Sequence, residues 1–173
     1  MSTSLFQTCQ PSEMSREAFC EVFGDIYEHS VWVAEKAWDN GLTRQHNQVG
    51  VLHSLMSDLL LSADRATQLA LINAHPDLAG KAAVRGELTE ASTSEQAGAG
   101  INECTAEEFS RFTELNDAYK EKFGFPFIMA VKGSNRHQIL AAFEERIHNT
   151  PEKEFERALT EINRIALFRL ETL

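Results

Sequence analysis

Apolar residues recur at intervals of three and four along most of the chain, which is the spacing that places them on one face of an α-helix. Regular alternation of apolar and polar residues, the pattern of a half-buried strand, does not occur. The sequence therefore predicts an all-α fold, a single compact helical domain of about seven to nine helices. We expect this domain to span residues 1–173.

Two helices are predicted near the start of the chain from serines that precede apolar stretches. Ser15 is expected to cap the first helix, and Ser30 the second. Gly41 follows the second helix and is expected to end it. Three residues at helical spacing are expected to pack on the apolar face of this second helix, namely Val31, Ala34 and Trp38.

Further helices are predicted from the same signals. A third is expected over residues 44–61, and Ser62 is expected to cap a fourth that ends near Ala74. Thr105 opens a later helix, because Glu108 lies three residues on and can complete a capping box. The last two helices are expected to begin at two further caps, Ser134 and Thr150.

Two stretches interrupt the helical pattern. Residues 75–102 are rich in Gly, Ser and Thr, and within them residues 92–98 are predicted to form one short helix. Connections of this length inside a compact domain are usually functional, so we expect the chemistry to lie here. The second stretch, FGFPFIMAVKG, cannot be a regular helix because Pro126 removes a backbone donor and favours extended geometry in the residue before it.

Charge and composition narrow the class of protein. The 26 acidic and 16 basic residues leave a formal net charge of −10, which argues against a nucleic-acid partner because phosphates would be repelled. No apolar run reaches the roughly 18 residues of a membrane span, and no leader pattern precedes the first helix. Three cysteines without C-x-x-C spacing fit a reducing compartment. These observations predict a soluble cytoplasmic protein with no nucleic-acid or membrane partner, and they leave the charge of a small-molecule substrate open.

The six histidines do not form a metal motif. No two of them are four residues apart, and the H-E-x-x-H pattern is absent, so no metal site is predicted. His75 differs from the others because it stands where a helix is expected to stop, directly before Pro76. Two interpretations stay open. Its imidazole either bonds the last helical carbonyls or lies in a pocket and handles protons.

An arginine breaks the apolar stripe of the last helix. Ala158, Ile162 and Ile165 follow one face, and the next position on that face is Arg169, which is therefore expected to point inward. Arg164 lies beside Arg157 and Glu161, on the side that is expected to be solvated. A buried guanidinium needs an anionic partner, which is either an internal carboxylate or an anionic ligand.

Taken together, these features resemble one enzyme family, the 2-oxo-4-hydroxy-4-carboxy-5-ureidoimidazoline (OHCU) decarboxylases. The resemblance extends over nearly the whole chain. It rests on five segments in order: YEHSVWVAEKAW (27–38), AHPDLAGK (74–81), STSEQAGAG (92–100), YKEKFGFPFIMAVKG (119–133) and EINRIALFRL (161–170). It implies an all-helical domain that is commonly a homodimer. It also implies an enzyme whose reaction follows urate oxidation and hydroxyisourate hydrolysis. The implied reaction yields (S)-allantoin and uses no metal or organic cofactor.

The same resemblance implies roles for individual residues. His75, Glu95 and Arg169 match the family's catalytic residues, with Arg164 as the alternative to Arg169 for holding the substrate carboxylate. Five further residues are implied to bind the substrate, namely Pro76, Ser92, Gln96, Phe127 and Ile128.

Two other functions compete with this one. A cofactor-free hydrolase of a ureido or cyclic amide substrate would use the same acid–base pair and arginine, and would release ammonia or a ring-opened product instead of CO₂. A helical adaptor would bind a partner through exposed aromatic residues such as Trp32 and Trp38, and changes at His75 or Glu95 would then be harmless.

Overall fold

The computed structural model describes residues 3–80 and 86–173. These residues form α-helices and short 3-10 helices, with an isolated bridge and no strand in the ranges described, which confirms the all-α prediction. The 3-10 helices are Pro11–Glu13, Arg44–Asn47 and Ile101–Glu103. The α-helices are α1 (Arg16–Phe23), α2 (Trp32–Asp39), α3 (Val49–Leu61), α4 (Arg65–Ala74), α5 (Glu90–Gly98), α6 (Ala106–Phe123), α7 (Arg136–Arg146) and α8 (Pro151–Leu170).

The chain divides into two compact units. The first comprises Met1–Ala74 together with Ile162–Leu173, and the second comprises His75–Glu161. Helix α8 therefore contributes its first part to the second unit and its remainder to the first. The expectation of one domain over the whole chain stays a prediction.

The first unit is held together by aromatic packing and by contacts with its C-terminal segment. The rings of Phe19 and Phe23 pack with centroids 4.6 Å apart. The phenol of Tyr27 donates to the Asn163 side chain at 2.8 Å, and the His53 imidazole is 2.7 Å from the Asn163 carbonyl. Residues distant in sequence are thus tied to the end of α8, because these polar groups find their partners there.

The second unit is centred on one aromatic cluster. Tyr119 of α6 is fully buried, and its ring lies within 6.0 Å, centroid to centroid, of four phenylalanine rings: Phe123, Phe125, Phe127 and Phe143. Residues 124–135, which connect α6 to α7, form neither helix nor strand. The irregular conformation predicted around Pro126 is therefore confirmed, and its aromatic side chains are buried.

Several predicted helix ends are confirmed. Ser15 accepts from the Ala18 N–H at 3.2 Å, and Thr150 accepts from the Lys153 N–H at 3.3 Å. Thr105 caps α6 in a complete capping box, and α4 ends at Ala74 as predicted. Two glycines in left-handed conformations follow helix ends, Gly41 after α2 and Gly124 after α6. These signals act within a few residues, so they can be recognised in the sequence.

Three predicted caps are wrong. Ser30 donates to a carbonyl two residues back instead of capping α2. Ser62 ends α3, and Asp64 instead accepts a backbone hydrogen bond at the start of α4. Asn135 instead of Ser134 caps α7, in a complete capping box. At α4 and α7 a neighbouring polar residue takes over the cap, whereas α2 begins after Val31 without a side-chain cap.

Other boundaries and faces also differ from the predictions. The helix expected over residues 44–61 is divided into a 3-10 helix and α3, and the short helix α5 begins at Glu90 because Thr89 caps it. Val31 is 46% exposed, since it precedes α2 and lies off its buried face. The residues of α2 that are buried are Val33, Ala34 and Ala37. Among the described residues, no helix is long and apolar enough to cross a membrane.

Candidate functional site

His75 directly follows the last residue of α4, as predicted, and begins a turn whose backbone is held from two helices. His75 and Pro76 are both half-buried. From α5, the Gln96 side chain accepts from the Ala79 N–H at 3.1 Å and donates to the Asp77 carbonyl at 3.3 Å. These two hydrogen bonds go to the main chain of the turn, so most of the side chains of the turn are not needed to hold it in position.

Helix α6 holds the same turn from a second direction. The buried Asn116 amide donates to the Leu78 carbonyl at 2.8 Å, and the Lys120 ammonium lies 2.7 Å from the Asp77 carboxylate. Ala79 has a left-handed backbone with φ of +53°, a conformation that is unfavourable for a residue with a Cβ atom. Such strain persists only where surrounding contacts maintain it, as these do.

Gly80 is the last described residue of the turn. A side chain does not fit at this position, because a Cβ atom would lie 2.6 Å from the Cβ atom of Asp77. Lys81, the last residue of the AHPDLAGK segment, lies outside the described residues.

Helix α5 carries the second group of predicted residues. Ser92 and Gln96 are buried, and Glu95 between them is half-buried. Positions three and four residues apart lie on one side of a helix, so Ser92 is a neighbour of both Glu95 and Gln96. Because Gln96 binds the turn that begins at His75, the structure brings α5 and this turn together.

Phe127 and Ile128 lie in the irregular segment and are both buried. The Phe127 ring stacks on the Phe143 ring, with centroids 3.8 Å apart and planes 14° apart. The Arg146 guanidinium lies 4.3 Å from the Phe127 ring centroid and donates to the Ile128 carbonyl at 2.7 Å. Their positions are therefore determined by α7, through a cation–π contact and one charge-assisted hydrogen bond.

The Arg146 side chain belongs to a buried polar network that the sequence analysis missed. Arg146 Nε donates to Glu154 at 2.9 Å, the Tyr119 hydroxyl donates to the same oxygen at 2.7 Å, and Asn149 donates to the other oxygen at 3.0 Å. Burial, with the neighbouring carboxylate, raises the pKa of the Tyr119 phenol, which remains a donor. A signal was present, because Glu154 lies four residues before Ala158 on the apolar stripe of α8.

Arg169 is buried, at 8% exposure, which confirms the prediction that it points inward. Its Nη2 atom lies 2.9 Å from the Glu28 carboxylate. Arg164 is exposed, as expected, but the expectation for its neighbour Glu161 is wrong. Glu161 is fully buried, because it lies on the line of the stripe between Ala158 and Ile165, and Arg157 donates to it at 3.2 Å.

The predicted catalytic residues are distributed over both units. His75 and Glu95 belong to the second unit, and Arg169 belongs to the first. Of the two partners left open for Arg169, an internal carboxylate or an anionic ligand, the structure contains the first as Glu28. A guanidinium has five N–H donors, so an internal partner and an anionic ligand are compatible with one arginine.

A cavity of about 620 Å³ lies in the second unit beside α5. Its lining includes Ala79, Gln96, Ile101 and Phe109, and is mostly apolar. Within the described ranges, neither His75 nor Glu95 is among the lining residues. In the same ranges, no three His, Cys, Asp or Glu side chains are grouped so that they could hold a metal ion.

Comparison with known proteins gives a consistent result. The family model described as OHCU decarboxylase matches residues 12–171. A relative from Haloferax volcanii, named 2-oxo-4-hydroxy-4-carboxy-5-ureidoimidazoline decarboxylase, is 42% identical over 161 residues, which cover 93% of this chain and 92% of that protein.

Two solved structures are also similar. One, described as (S)-allantoin synthase, matches with a TM-score of 0.74 and 31% identity, covering 94% of this chain and 52% of that chain. The other, described as OHCU decarboxylase in the presence of (S)-allantoin, matches with a TM-score of 0.69 and 25% identity, covering 92% and 97% of the two chains.

Proposed function

This chain belongs to the OHCU decarboxylase family, and we propose that it converts OHCU to (S)-allantoin and CO₂ in urate degradation. The observation that carries the proposal is the family match over residues 12–171, which includes the His75 turn, α5 and the end of α8. The similar relative from Haloferax volcanii covers almost the same length and carries the decarboxylase name.

The reaction determines which groups the site needs. The bond between the ring carbon and the carboxylate breaks, CO₂ leaves, and the electron pair stays on the ring carbon, delocalised over the neighbouring carbonyl or imine. The hydroxyl on that carbon then loses its proton and becomes the carbonyl of allantoin, while a proton is added to the neighbouring ring carbon that carries the ureido group. This proton must arrive from one face, because (S)-allantoin is a single enantiomer. The protein must therefore stabilise developing negative charge and direct one proton transfer.

Three residues supply these functions in the proposal. His75 and Glu95 act as a hydrogen-bonded pair that handles the proton transfer, and Arg169 orients the carboxylate that leaves. Pro76, the backbone at Phe127 and Ile128, and the side chains of Ser92 and Gln96 line the site around the heterocycle. Each of them lies in or beside an element that polar contacts or buried packing hold in place.

Burial favours Arg169 over Arg164 as the group that holds the carboxylate. An exposed guanidinium keeps its water and its rotamer freedom, so it would bind a carboxylate weakly. Arg164 is exposed, whereas Arg169 is buried and held by Glu28. Arg164→Ala is therefore expected to retain most activity, and Arg169→Ala to lose it.

Circular dichroism during turnover tests the function directly. OHCU is generated from urate in the cuvette because it decays, and the (S)-allantoin signal is followed. Glu95→Gln is expected to lower the rate by about 10²-fold or more, as removal of a general acid or base does. Glu90→Gln is the matched control, since it removes the same charge from the exposed first turn of α5.

The possible outcomes separate the competing functions. Only the slow racemic background with wild-type protein would refute decarboxylation. A ring-opened product or ammonia would identify the hydrolase instead. Retention of stereospecific activity in His75→Ala would remove His75 from the mechanism. Unchanged activity after dialysis against a chelator is expected, because the proposed chemistry uses only protein side chains.

We also propose that the protein is a homodimer, as the family resemblance implies, and that it is cytoplasmic, as its cysteine pattern predicts. Light scattering should then give twice the chain mass of 19.4 kDa. Cell fractionation of the source organism should place the activity in the soluble fraction. A monomer in solution, or activity that sediments with membranes, would contradict these two points separately.

A further inference from the structure

A turn of the first unit binds the Arg169 guanidinium. Glu28 Oε2 lies 2.9 Å from Nη2, while Nη1 donates to the carbonyls of Asp25 and Ile26 at 3.4 and 3.3 Å. Glu28 is only 2% exposed, so its carboxylate is almost entirely removed from water. A buried carboxylate at this distance is a strong determinant of where a guanidinium lies.

The turn that carries Glu28 is itself under conformational constraint. It lies between α1 and α2, where the Ser30 N–H donates to the Tyr27 carbonyl and the Ser30 hydroxyl donates to the Glu28 carbonyl. His29 has a left-handed backbone with φ of +46°, although its side chain is exposed. Strain of this kind often accompanies a functional constraint, and here the residue next to it is the one that holds Arg169.

The turn is also anchored to α8 through a second residue. The Tyr27 hydroxyl donates to the Asn163 side chain at 2.8 Å, so consecutive residues, Tyr27 and Glu28, each bind a side chain of α8. Burial raises the pKa of the Tyr27 phenol, which keeps it a donor. The position of the Glu28 carboxylate relative to Arg169 is therefore determined by contacts on both of these residues.

We propose that Glu28 is a positioning residue for the decarboxylation, holding Arg169 in one orientation and offsetting part of its charge. This inference rests on the proposed function. As CO₂ leaves, negative charge moves from the carboxylate to the ring, so a fully available cation beside the carboxylate would stabilise the substrate more than the transition state. With Glu28 beside it, Arg169 can orient the substrate carboxylate without opposing the movement of negative charge from that carboxylate to the ring.

Glu28→Gln should therefore change both kinetic constants. The amide keeps the shape and one acceptor but removes the negative charge, so the substrate carboxylate should bind more tightly and react more slowly. We expect KM to fall and kcat to fall by about tenfold, because the extra stabilisation of the bound substrate raises the barrier to its decarboxylation. A merely structural residue would not lower both parameters together.

A second variant separates charge from geometry. Glu28→Asp retains the charge but withdraws the carboxylate by one methylene, so Arg169 should lose its fixed orientation. We expect kcat to fall and KM to rise. Glu35→Gln is the control, because Glu35 pairs with Arg16 in the same unit at a partly exposed site, and its kinetics should match the wild type.

The outcomes distinguish the two levels of the proposal. If wild-type protein forms no (S)-allantoin, the proposed function fails and this inference fails with it. If the wild type is active and both Glu28 variants fold, as checked by far-UV circular dichroism, but keep wild-type kcat and KM, only the role of Glu28 is refuted. If one variant fails to fold, wild-type kinetics in the other refutes the role equally. An increase in KM with unchanged kcat in Glu28→Gln would also refute it.

Discussion

Replacing Glu154 by alanine removes the centre of the buried network in the second unit. Glu154 is fully buried and accepts hydrogen bonds from Arg146, Tyr119 and Asn149. The substitution leaves the Arg146 guanidinium without its carboxylate, although the bond to the Ile128 carbonyl persists. A buried cation that loses its partner is one of the few changes that destabilise a protein severely.

The expected loss of stability follows from these contacts. Breaking a buried ion pair by removing one partner costs about 3–5 kcal/mol. We expect the upper part of this range, because the Tyr119 hydroxyl and the Asn149 amide lose their acceptor at the same time. This is a large fraction of the roughly 5–15 kcal/mol by which a typical domain is stable.

Urea unfolding followed by far-UV circular dichroism measures the effect. Glu144→Ala is the control, because Glu144 pairs with Arg111 at 3.1 Å with both side chains about half exposed, and it should change stability by less than about 1 kcal/mol. The double variant Arg146→Met with Glu154→Leu should recover much of the loss, since a buried ion pair can often be replaced by apolar residues.

Two results would refute this reasoning. One is a loss below about 1 kcal/mol in Glu154→Ala, which would mean that Arg146 is not desolvated. The other is a double variant no more stable than the single one, which would assign the loss to packing and not to an unpaired charge.

Three further predictions concern single sites. A backbone hydrogen bond at the cap of α6, with a nearby arginine, lowers the pKa of Glu108 below its ordinary 4.5. The ionised carboxylate therefore stabilises the folded protein, and this contribution is lost as the pH falls through the folded-state pKa. Acid unfolding should therefore be less steep in Glu108→Gln, while Glu107→Gln should keep the wild-type profile; equal profiles for all three proteins would contradict this. Gln96→Ala should speed hydrogen exchange at the Ala79 amide and lower activity, and unchanged exchange would show that the turn holds without it. Gly124→Ala should lower the free energy of unfolding in urea by about 1–2 kcal/mol, because a φ of +79° strains a residue with a Cβ atom. No atom lies near the added Cβ, so no clash contributes to this cost. A neutral result would contradict the left-handed geometry.

Much of the fold could be predicted because helix signals are local. The apolar spacing indicated the helices, and caps such as Ser15 and Thr105 lie within three residues of the groups they bind. Prediction failed where several polar residues competed for the same role, as at Ser62 and Asp64. Choosing among such neighbours depends on the direction in which the chain enters the helix, which the local sequence does not specify.

The site was predictable to a different degree. The end of α4 at Ala74 and the inward direction of Arg169 both follow from periodicity, because an apolar stripe defines which positions are buried. The same stripe, followed towards its start, also contained the signal for Glu154. The catalytic roles came from resemblance to a family and not from the pattern, because chemistry depends on groups that no single helix brings together.

The sequence by itself determined the all-α class, most helix ends and the burial of Arg169, whereas the burial of Glu28, Glu154 and Glu161 was not predicted. Only the tertiary structure decided the partners of those charges. Glu28 and Arg169 are far apart in the chain, and Gln96 meets the turn after His75 across an intervening segment. The physical reason is range: capping and periodicity act over a few residues, whereas a buried charge is satisfied by whichever opposite charge the packed fold places beside it.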